Sequence, residues 1–172
     1  KILITGGSGQ IGNELVKRIS ELSSHTDVLY LLKRKNPIDL SFLHERKFYL
    51  ISELDEKESY DIAFHLAANI HTKFSIDPVY REIFWNDNVR LTEKVCDSSN
   101  RVIMTSTDNV FSGNEDKNYK EDDQPNPLPN FYGLTKVEAE RTVLDKGGIV
   151  VRLQTMLGVN NNLIIDRVYD AI

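Results

Sequence analysis

Apolar residues follow two alternating patterns along this chain. Continuous apolar runs, such as residues 28–32, are expected of strands that are buried on both faces of a parallel sheet. Elsewhere apolar residues recur every three or four positions, as at Ile11, Leu15 and Ile19, which is typical of one helix face. The two patterns predict strands at 1–4, 28–32, 48–51, 62–66, 102–105 and 149–153 and helices at 10–22, 79–96 and 131–144.

This alternation of strands and helices predicts an α/β fold, a doubly wound parallel sheet of the Rossmann type. We expect the first strand, helix and second strand to form a right-handed crossover unit. Residues 112–130 are polar and contain three prolines, so we predict a loop there. A loop of that length inside a domain is usually functional.

The first predicted strand leads into a glycine-rich turn between Thr5 and Gly12. Gly7-x-Gly9-x-x-Gly12 fits the general dinucleotide fingerprint, while Gly6-x-x-Gly9-x-x-Gly12 fits the wider turn of the short-chain dehydrogenase/reductases. Glycines allow positive φ and a close approach of backbone to ligand. The N-terminus of the following helix then forms an anion site, for which a pyrophosphate is the expected ligand.

Two further groups of residues carry candidate chemistry. Tyr132 and Lys136 lie four positions apart in a predicted helix and therefore share one face. Such a pair also occurs on many solvated helices; here, however, Ser106 and Thr107 follow an apparent strand, at the sheet edge where ligands bind in open α/β folds. We expect the lysine cation to lower the pKa of Tyr132 toward a range useful for proton transfer.

In combination and order, these motifs resemble the extended short-chain dehydrogenase/reductases, the NAD-dependent epimerase/dehydratase superfamily. The resemblance covers nearly the whole chain, and the segment from Ser106 to Gly113 looks most like the dTDP-4-dehydrorhamnose reductase branch. The motifs that carry the resemblance are the turn Thr5–Gly12, His65–Ala68 after the fourth strand, Asn88–Thr92 in a helix, the hydroxyl segment ending in Thr107, and Tyr132-x-x-x-Lys136.

The resemblance implies roles for four catalytic residues. Tyr132 would exchange a proton with the substrate oxygen, Lys136 would bind the nicotinamide ribose and lower the tyrosine pKa, and Thr107 would hydrogen-bond the reacting oxygen. Ser106 is the alternative to Thr107. Asn88 matches the helix asparagine of the family, although Leu91 stands where a glycine is common.

The residue after Thr107-Asp108 separates two reactions within the superfamily. The sugar-nucleotide 4,6-dehydratases carry a glutamate there, which removes a proton, whereas this chain has Asn109. An amide cannot act as that base, so dehydration is disfavoured.

The choice of cofactor depends on the end of the second strand. Leu32 stands where an acidic residue would bind the ribose of NAD, and Lys33, Arg34 and Lys35 follow it. These cations favour the 2′-phosphate of NADP, with NAD possible, although they also fit a solvated basic turn. The expected cofactor-binding residues are Gly6, Gly9, Gln10, Ile11, Gly12, Lys33, Arg34, Glu53, Leu54, Leu66, Ala67, Ala68, Tyr132 and Lys136.

The leading functional hypothesis is therefore an NADP-dependent reductase of a keto-sugar nucleotide. A sugar-nucleotide epimerase with bound NAD and a noncatalytic dinucleotide-binding regulatory subunit, resembling that of methionine adenosyltransferase, are the alternatives. We assign residues 1–153 to a dinucleotide-binding Rossmann domain and 154–172 to the start of a substrate-binding region, whose smaller carboxyl-terminal lobe we expect to be largely absent. Gln154 to Asn162 would form one wall of the substrate cleft.

Composition excludes several other classes of protein. The 172 residues, with a formal charge of −5, contain no basic patch of the kind that binds nucleic acid. One cysteine excludes an internal disulfide, and the four histidines lack metal-ligand spacing. No apolar run reaches the roughly 20 residues of a membrane span and no signal peptide is present, so we expect a cytoplasmic protein.

Two expectations concern the whole molecule. The chain starts without methionine in a strand and ends in a helical pattern, so we interpret it as a fragment. The resemblance also implies a homodimer through the helices at 79–96 and 131–144.

Overall fold

The computed structural model describes residues 1–22, 28–32, 48–55, 57–71, 76–114, 116 and 118–154. In them a six-stranded sheet has the order β3-β2-β1-β4-β5-β6, and every neighbouring pair is parallel. The strands are β1 Ile2–Thr5, β2 Leu29–Leu32, β3 Phe48–Ile51, β4 Ile62–His65, β5 Val102–Thr107 and β6 Ile149–Leu153. The α-helices are α1 Gln10–Leu22, α2 Arg81–Phe84, α3 Leu91–Asp97 and α4 Phe131–Asp145.

The strand order confirms the doubly wound α/β fold. From β1 the chain proceeds outward through β2 and β3, then returns to the other side of β1 and proceeds through β4, β5 and β6. The topological switch point therefore lies between β1 and β4, and ligands of such sheets bind at its carboxyl edge. The glycine turn follows β1 at that edge.

The apolar alternation of β1 explains how both faces of the sheet are covered. Leu3 belongs to a core cluster with Val95 of α3 and Val143 of α4. Ile4, the next residue, packs in a second cluster with Val16 of α1. Successive strand residues point to opposite faces, so α1 covers one face while α3 and α4 cover the other.

Two elements differ from the sequence-based prediction. β5 extends two residues beyond the predicted 102–105, because Ser106 and Thr107 continue the parallel register with β6. The predicted helix at 79–96 is a composite of a 3₁₀ turn at Pro78–Tyr80, α2, a π-helical segment at Trp85–Arg90, and α3. The Asp77 side chain caps its start by accepting a hydrogen bond from the Val79 N–H at 3.0 Å.

The predicted helix surfaces carry exposed apolar residues. Val79 is 79% exposed, Ile83 of α2 is 47% exposed and Leu134 of α4 is 44% exposed. Homodimerisation through these helices stays a prediction. Cys96 is buried, and burial raises the pKa of its thiol to about 11, as expected for a structural thiol.

The glycine turn is fixed by steric exclusion. Gly6 has φ of +72°, a left-handed conformation that other residues rarely adopt. A Cβ added at Gly12 would lie 2.1 Å from the Gly6 carbonyl oxygen, so no larger residue fits where α1 starts.

We predict that Gly12→Ala lowers the free energy of unfolding by about 3 kcal/mol, because its methyl group overlaps backbone that cannot move without disrupting β1. Gly147→Ala is the control: Gly147 also has φ of +72°, but an added Cβ meets nothing within 4 Å. The left-handed backbone alone should cost that variant about 1 kcal/mol. Urea unfolding of both variants measures the difference, and equal losses would contradict the steric account.

Candidate active site

The candidate site lies where the carboxyl ends of β1, β4 and β5 meet the amino end of α4. The α4 helix starts at this edge because the Asn130 side chain caps it, accepting a hydrogen bond from the Gly133 N–H at 2.8 Å. Tyr132 therefore lies in the first turn of α4, beside the last residues of β5.

Thr107 is the hydroxyl that the structure places beside Tyr132. Tyr132 is 9% exposed and lies beside the Thr107 side chain, which lowers the pKa of the phenol less than burial raises it. Thr107 Oγ1 donates to Asp108 Oδ1 at 3.1 Å and accepts from the Asn109 side-chain amide at 3.1 Å. Ser106 Oγ, in contrast, is buried without a hydrogen-bond partner among the residues described. Of the two hydroxyls, Thr107 is the one that acts on the pKa of the phenol.

The pKa of Tyr132 corrects the sequence-based expectation. Burial raises it above the ordinary value, the Thr107 side chain lowers it less, and the nearby Asp108 carboxylate raises it further. The expected lowering by Lys136 is wrong in this structure, because the Lys136 ammonium is directed elsewhere. Tyr132 is therefore a protonated phenol at neutral pH.

The Lys136 ammonium is buried against β5. Its side chain is 3% exposed, and Nζ donates to the Thr105 carbonyl oxygen at 2.8 Å. Burial lowers the pKa of Lys136 to about 8, while the Glu140 carboxylate raises it less. The amine therefore titrates close to physiological pH.

Glu140 and Arg152 form an ion pair that sequence reasoning missed. Arg152 donates to the Glu140 carboxylate through Nη2 at 2.8 Å and through Nε at 3.0 Å, and Glu140 is 2% exposed. Arg152 Nη1 also donates to the Glu121 carbonyl at 3.1 Å. Its guanidinium lies 5.0 Å from the centroid of the Phe111 ring. Two features of the sequence could have indicated this pair. Glu140 lies four residues after Lys136 in the predicted helix, and Arg152 is a charged residue within an apolar strand.

Through this pair, Arg152 connects β6 and α4 to the predicted loop at 112–130. A cleft of about 960 Å³ lies beside the loop and β6, which is a volume suited to a small-molecule ligand. Gln154, expected to start a wall of the substrate cleft, lines it; residues 155–162 lie outside the described residues. The cleft also adjoins the carboxyl end of β5, because Asp108 and Asn109 line it.

Asn88 is buried, and both the oxygen and the nitrogen of its side chain make hydrogen bonds. Its side-chain oxygen accepts from the Asn69 N–H at 2.6 Å, and its amide nitrogen donates to the Asn69 carbonyl at 3.2 Å and to Thr135 Oγ1 at 3.0 Å. Thr135 lies between Tyr132 and Lys136 in α4. Asn88 therefore connects the segment after β4 to the helix that carries the candidate proton donor. Sequence reasoning missed Thr135 and Asn69.

His65 is the last residue of β4, not a residue after it as the motif suggested. Its ring is 1% exposed, with Nδ1 2.7 Å from Thr5 Oγ1 and Nε2 2.9 Å from Thr92 Oγ1. Burial and then the Lys136 charge lower the pKa of His65 to about 3, so the imidazole is neutral.

Ten of the fourteen expected cofactor-binding residues fall into three groups, in addition to Tyr132 and Lys136 of α4. Gly6, Gly9, Gln10, Ile11 and Gly12 form the turn and the start of α1, where helix N–H groups lack partners within the helix. The second group, Leu66, Ala67 and Ala68, follows β4, and a Cβ at Gly6 would lie 2.7 Å from the Ala67 nitrogen. The third, after β3, comprises exposed Glu53 and Leu54, which packs on the core. Lys33 and Arg34 lie outside the described residues.

The described part of the chain offers neither a metal site nor a membrane-spanning helix. Within the described ranges, no group of three or more histidine, cysteine, aspartate or glutamate side chains could hold a metal ion. None of the helices described there is long and apolar enough to cross a membrane.

Known proteins resemble the chain along most of its length. The sequence is 30% identical over 165 residues to methionine adenosyltransferase 2 subunit beta of Xenopus tropicalis, covering 92% of this chain and 47% of that protein. It is 28% identical to dTDP-4-dehydrorhamnose reductase of Aggregatibacter actinomycetemcomitans, covering 94% of this chain and 53% of that protein. The chain thus spans about half the length of these curated relatives.

A solved structure shares the fold. MoeE5 in complex with UDP-glucose and NAD superposes with a TM-score of 0.74 at 24% identity, covering 99% of this chain and 60% of that chain. The sequence profile described as RmlD substrate binding domain matches residues 1–169. The chain therefore belongs to the RmlD substrate binding domain family, within the NAD-dependent epimerase/dehydratase superfamily of extended short-chain dehydrogenase/reductases.

Proposed function

We propose that the protein carrying this chain is an NADP-dependent reductase of a keto-sugar nucleotide. The placement of Tyr132 in the first turn of α4, beside Thr107 at the carboxyl end of β5, carries this proposal. It brings a proton donor and a second hydroxyl together at the edge where the glycine turn follows β1. The similarity to dTDP-4-dehydrorhamnose reductase supports the choice of reaction.

The glycine turn fits the pyrophosphate of a dinucleotide. Bare backbone at Gly6 and Gly12 leaves no room for a Cβ, and the turn ends at the positive end of the α1 dipole. A bound nicotinamide cofactor supplies the hydride. Gly9, Gln10 and Ile11 would hold its phosphates, and Lys136 its ribose.

Tyr132 is the proposed proton donor to the substrate oxygen. Its raised pKa keeps the phenol protonated at neutral pH, as a general acid requires. Thr107 would hold the same oxygen, and Asn88 would fix the helix that carries both Tyr132 and Lys136. We place the sugar nucleotide in the cleft that Asp108, Asn109 and Gln154 help to line.

Dehydration is disfavoured by the chemistry of Asn109. Its amide donates hydrogen bonds to Thr107 Oγ1 and Asp108 Oδ1, both at 3.1 Å. An amide nitrogen that donates in this way has no basic lone pair with which to remove a proton. The arrangement therefore favours reduction over 4,6-dehydration.

A regulatory subunit is the second candidate function. The similarity to methionine adenosyltransferase 2 subunit beta supports it, since that protein is named as a subunit of another enzyme. Co-purification with a methionine adenosyltransferase catalytic subunit, together with dinucleotide binding but no turnover, would favour this candidate. An epimerase would instead return a stereoisomer of the substrate without net oxidation of cofactor, which product analysis detects.

We predict that Tyr132→Phe lowers kcat for reduction of dTDP-4-dehydrorhamnose by roughly a hundredfold or more, because loss of a general acid typically costs that much. The dissociation constant for NADPH should change little, since the ring remains. Tyr49→Phe is the matched control, because that phenol lies on β3 at the opposite edge of the sheet. Unchanged kcat in Tyr132→Phe would exclude this proton donor.

We predict that the chain binds NADPH more tightly than NADH, because Lys33 and Arg34 follow the strand end where the adenosine ribose lies. Calorimetric titrations at matched salt measure the preference, since salt screens a phosphate contact. Lys33→Gln with Arg34→Gln should remove the preference, while Lys17→Gln with Arg18→Gln on α1 should retain it. A preference for NADH would overturn the basic-turn argument.

We predict that NADPH affinity falls about tenfold between pH 7 and pH 9. The pKa of Lys136 is about 8, below its ordinary value, so its ammonium is present below pH 8 and is lost as the pH rises through 8. Loss of that charge weakens the proposed contact with the ribose. Titrations across this range should show the decrease in the parent chain but not in Lys136→Met; equal slopes would rule out Lys136 as its cause.

A further inference from the structure

A buried chain of hydrogen bonds connects the end of β1 to the first turn of α4. Four residues link its ends, Asn88 through both its main-chain carbonyl and its side chain: His65, Thr92, Asn88 and Thr135, which are between 0% and 2% exposed. At the β1 end, Thr5 is also completely buried. Solvent does not reach these residues, so each of their polar groups must find its hydrogen-bond partner within the protein.

The direction of the first hydrogen bonds follows from counting protons. Thr92 Oγ1 has one hydrogen and donates it to the main-chain carbonyl of Asn88 at 2.6 Å. It must therefore accept from His65 Nε2, which carries the ring proton. The neutral ring then accepts at Nδ1 from the Thr5 hydroxyl. Only the Nε2-protonated tautomer satisfies both threonines.

Thr5 extends the chain to the backbone at the switch point. Its oxygen accepts from the Leu66 N–H at 3.2 Å and from the Ala67 N–H at 3.1 Å. These two residues lie against Gly6, where the glycine turn starts. One end of the chain is therefore attached to the proposed cofactor cradle.

The other end reaches the proposed catalytic helix through Asn88. The Asn88 side chain donates to Thr135 Oγ1, and the Thr135 hydroxyl lies 2.6 Å from the Phe131 carbonyl and 3.1 Å from the Tyr132 carbonyl. Thr135 thus accepts from Asn88 and donates to the turn that contains Tyr132. The π-helical segment places Asn88 at this crossing point.

We propose that His65, Thr92 and Thr135 are positioning residues, which hold the Tyr132 turn in register with the glycine turn. This inference rests on the proposed reductase function for its effect on rate. The residues touch neither substrate nor cofactor in this scheme, and act through Tyr132. Misplacing a catalytic group by about 1 Å can cost roughly a hundredfold in rate.

The test uses variants that remove one hydroxyl and nearly conserve shape. Thr92→Val and Thr135→Val break the chain at different points, and Thr92→Ser and Thr135→Ser restore a hydroxyl. Thr142→Val is the matched control, because Thr142 also lies in α4 and donates to a carbonyl four residues earlier, at 3.0 Å, but lies outside the chain. Circular dichroism establishes that each variant is folded at the assay temperature.

The first readout is the ¹³Cζ signal of Tyr132 in tyrosine-labelled protein, assigned by its absence in Tyr132→Phe. We expect Thr92→Val and Thr135→Val to displace or double this signal, and the serine variants and Thr142→Val to leave it unchanged. An unchanged Tyr132 signal in Thr92→Val would overturn the proposal, because Thr92 would then be an ordinary satisfied core residue.

The second readout is turnover of dTDP-4-dehydrorhamnose with NADPH. We expect kcat to fall by roughly ten- to a hundredfold in both valine variants with little change in KM, and to recover in the serine variants. Parental kcat in folded valine variants would also overturn the proposal. A displaced Tyr132 signal in a protein without any turnover would contradict the reductase function while supporting the positioning chain.

Discussion

Backbone contact between the glycine turn and the segment after β4 is the constraint on which the site depends. A Cβ on Gly6 would lie 2.7 Å from both the Ala67 nitrogen and the Leu66 carbonyl carbon, so these two chain segments pack without any intervening side chain. The glycine turn therefore lies directly against the segment that follows β4 at the switch point. The Thr5 hydroxyl, accepting from the same backbone, then orients His65. His65 in turn contacts the Thr92 hydroxyl, which donates to the Asn88 main-chain carbonyl.

The site also concentrates buried ionisable groups, each of which has a specific partner. Lys136 donates to a strand carbonyl, whereas Glu140, one turn later, is paired with Arg152. Removing one partner of a buried ion pair typically costs about 3–5 kcal/mol, whereas the intact pair adds little net stability. The main effect of the Glu140–Arg152 pair is therefore to fix the position of β6 relative to α4, and its net contribution to stability is small. It holds β6 and the loop beside Glu121 against α4, and so shapes one side of the cleft.

The sequence predicted most of the fold, because strands buried on both faces are continuous apolar runs and α1 shows a clear helical period. The identities of Thr107, Tyr132 and Lys136 were also accessible, since their motifs have fixed spacing. Contacts between residues far apart in sequence were not accessible: Glu140 with Arg152, and Asn88 with Thr135. The π-helical segment was missed because such segments are rare and occur as single turns inside α-helices, so the stretch as a whole still has a helical pattern.

The pKa of Tyr132 shows most clearly why residue spacing alone could not predict the electrostatics of the site. The i, i+4 rule places Tyr132 and Lys136 on one helix face, but it does not say where the long lysine side chain ends. Here the ammonium binds the Thr105 carbonyl, and burial dominates the titration of the phenol. A phenol that retains its proton is in the state that a general acid requires, which is the role that the proposed reduction assigns to Tyr132.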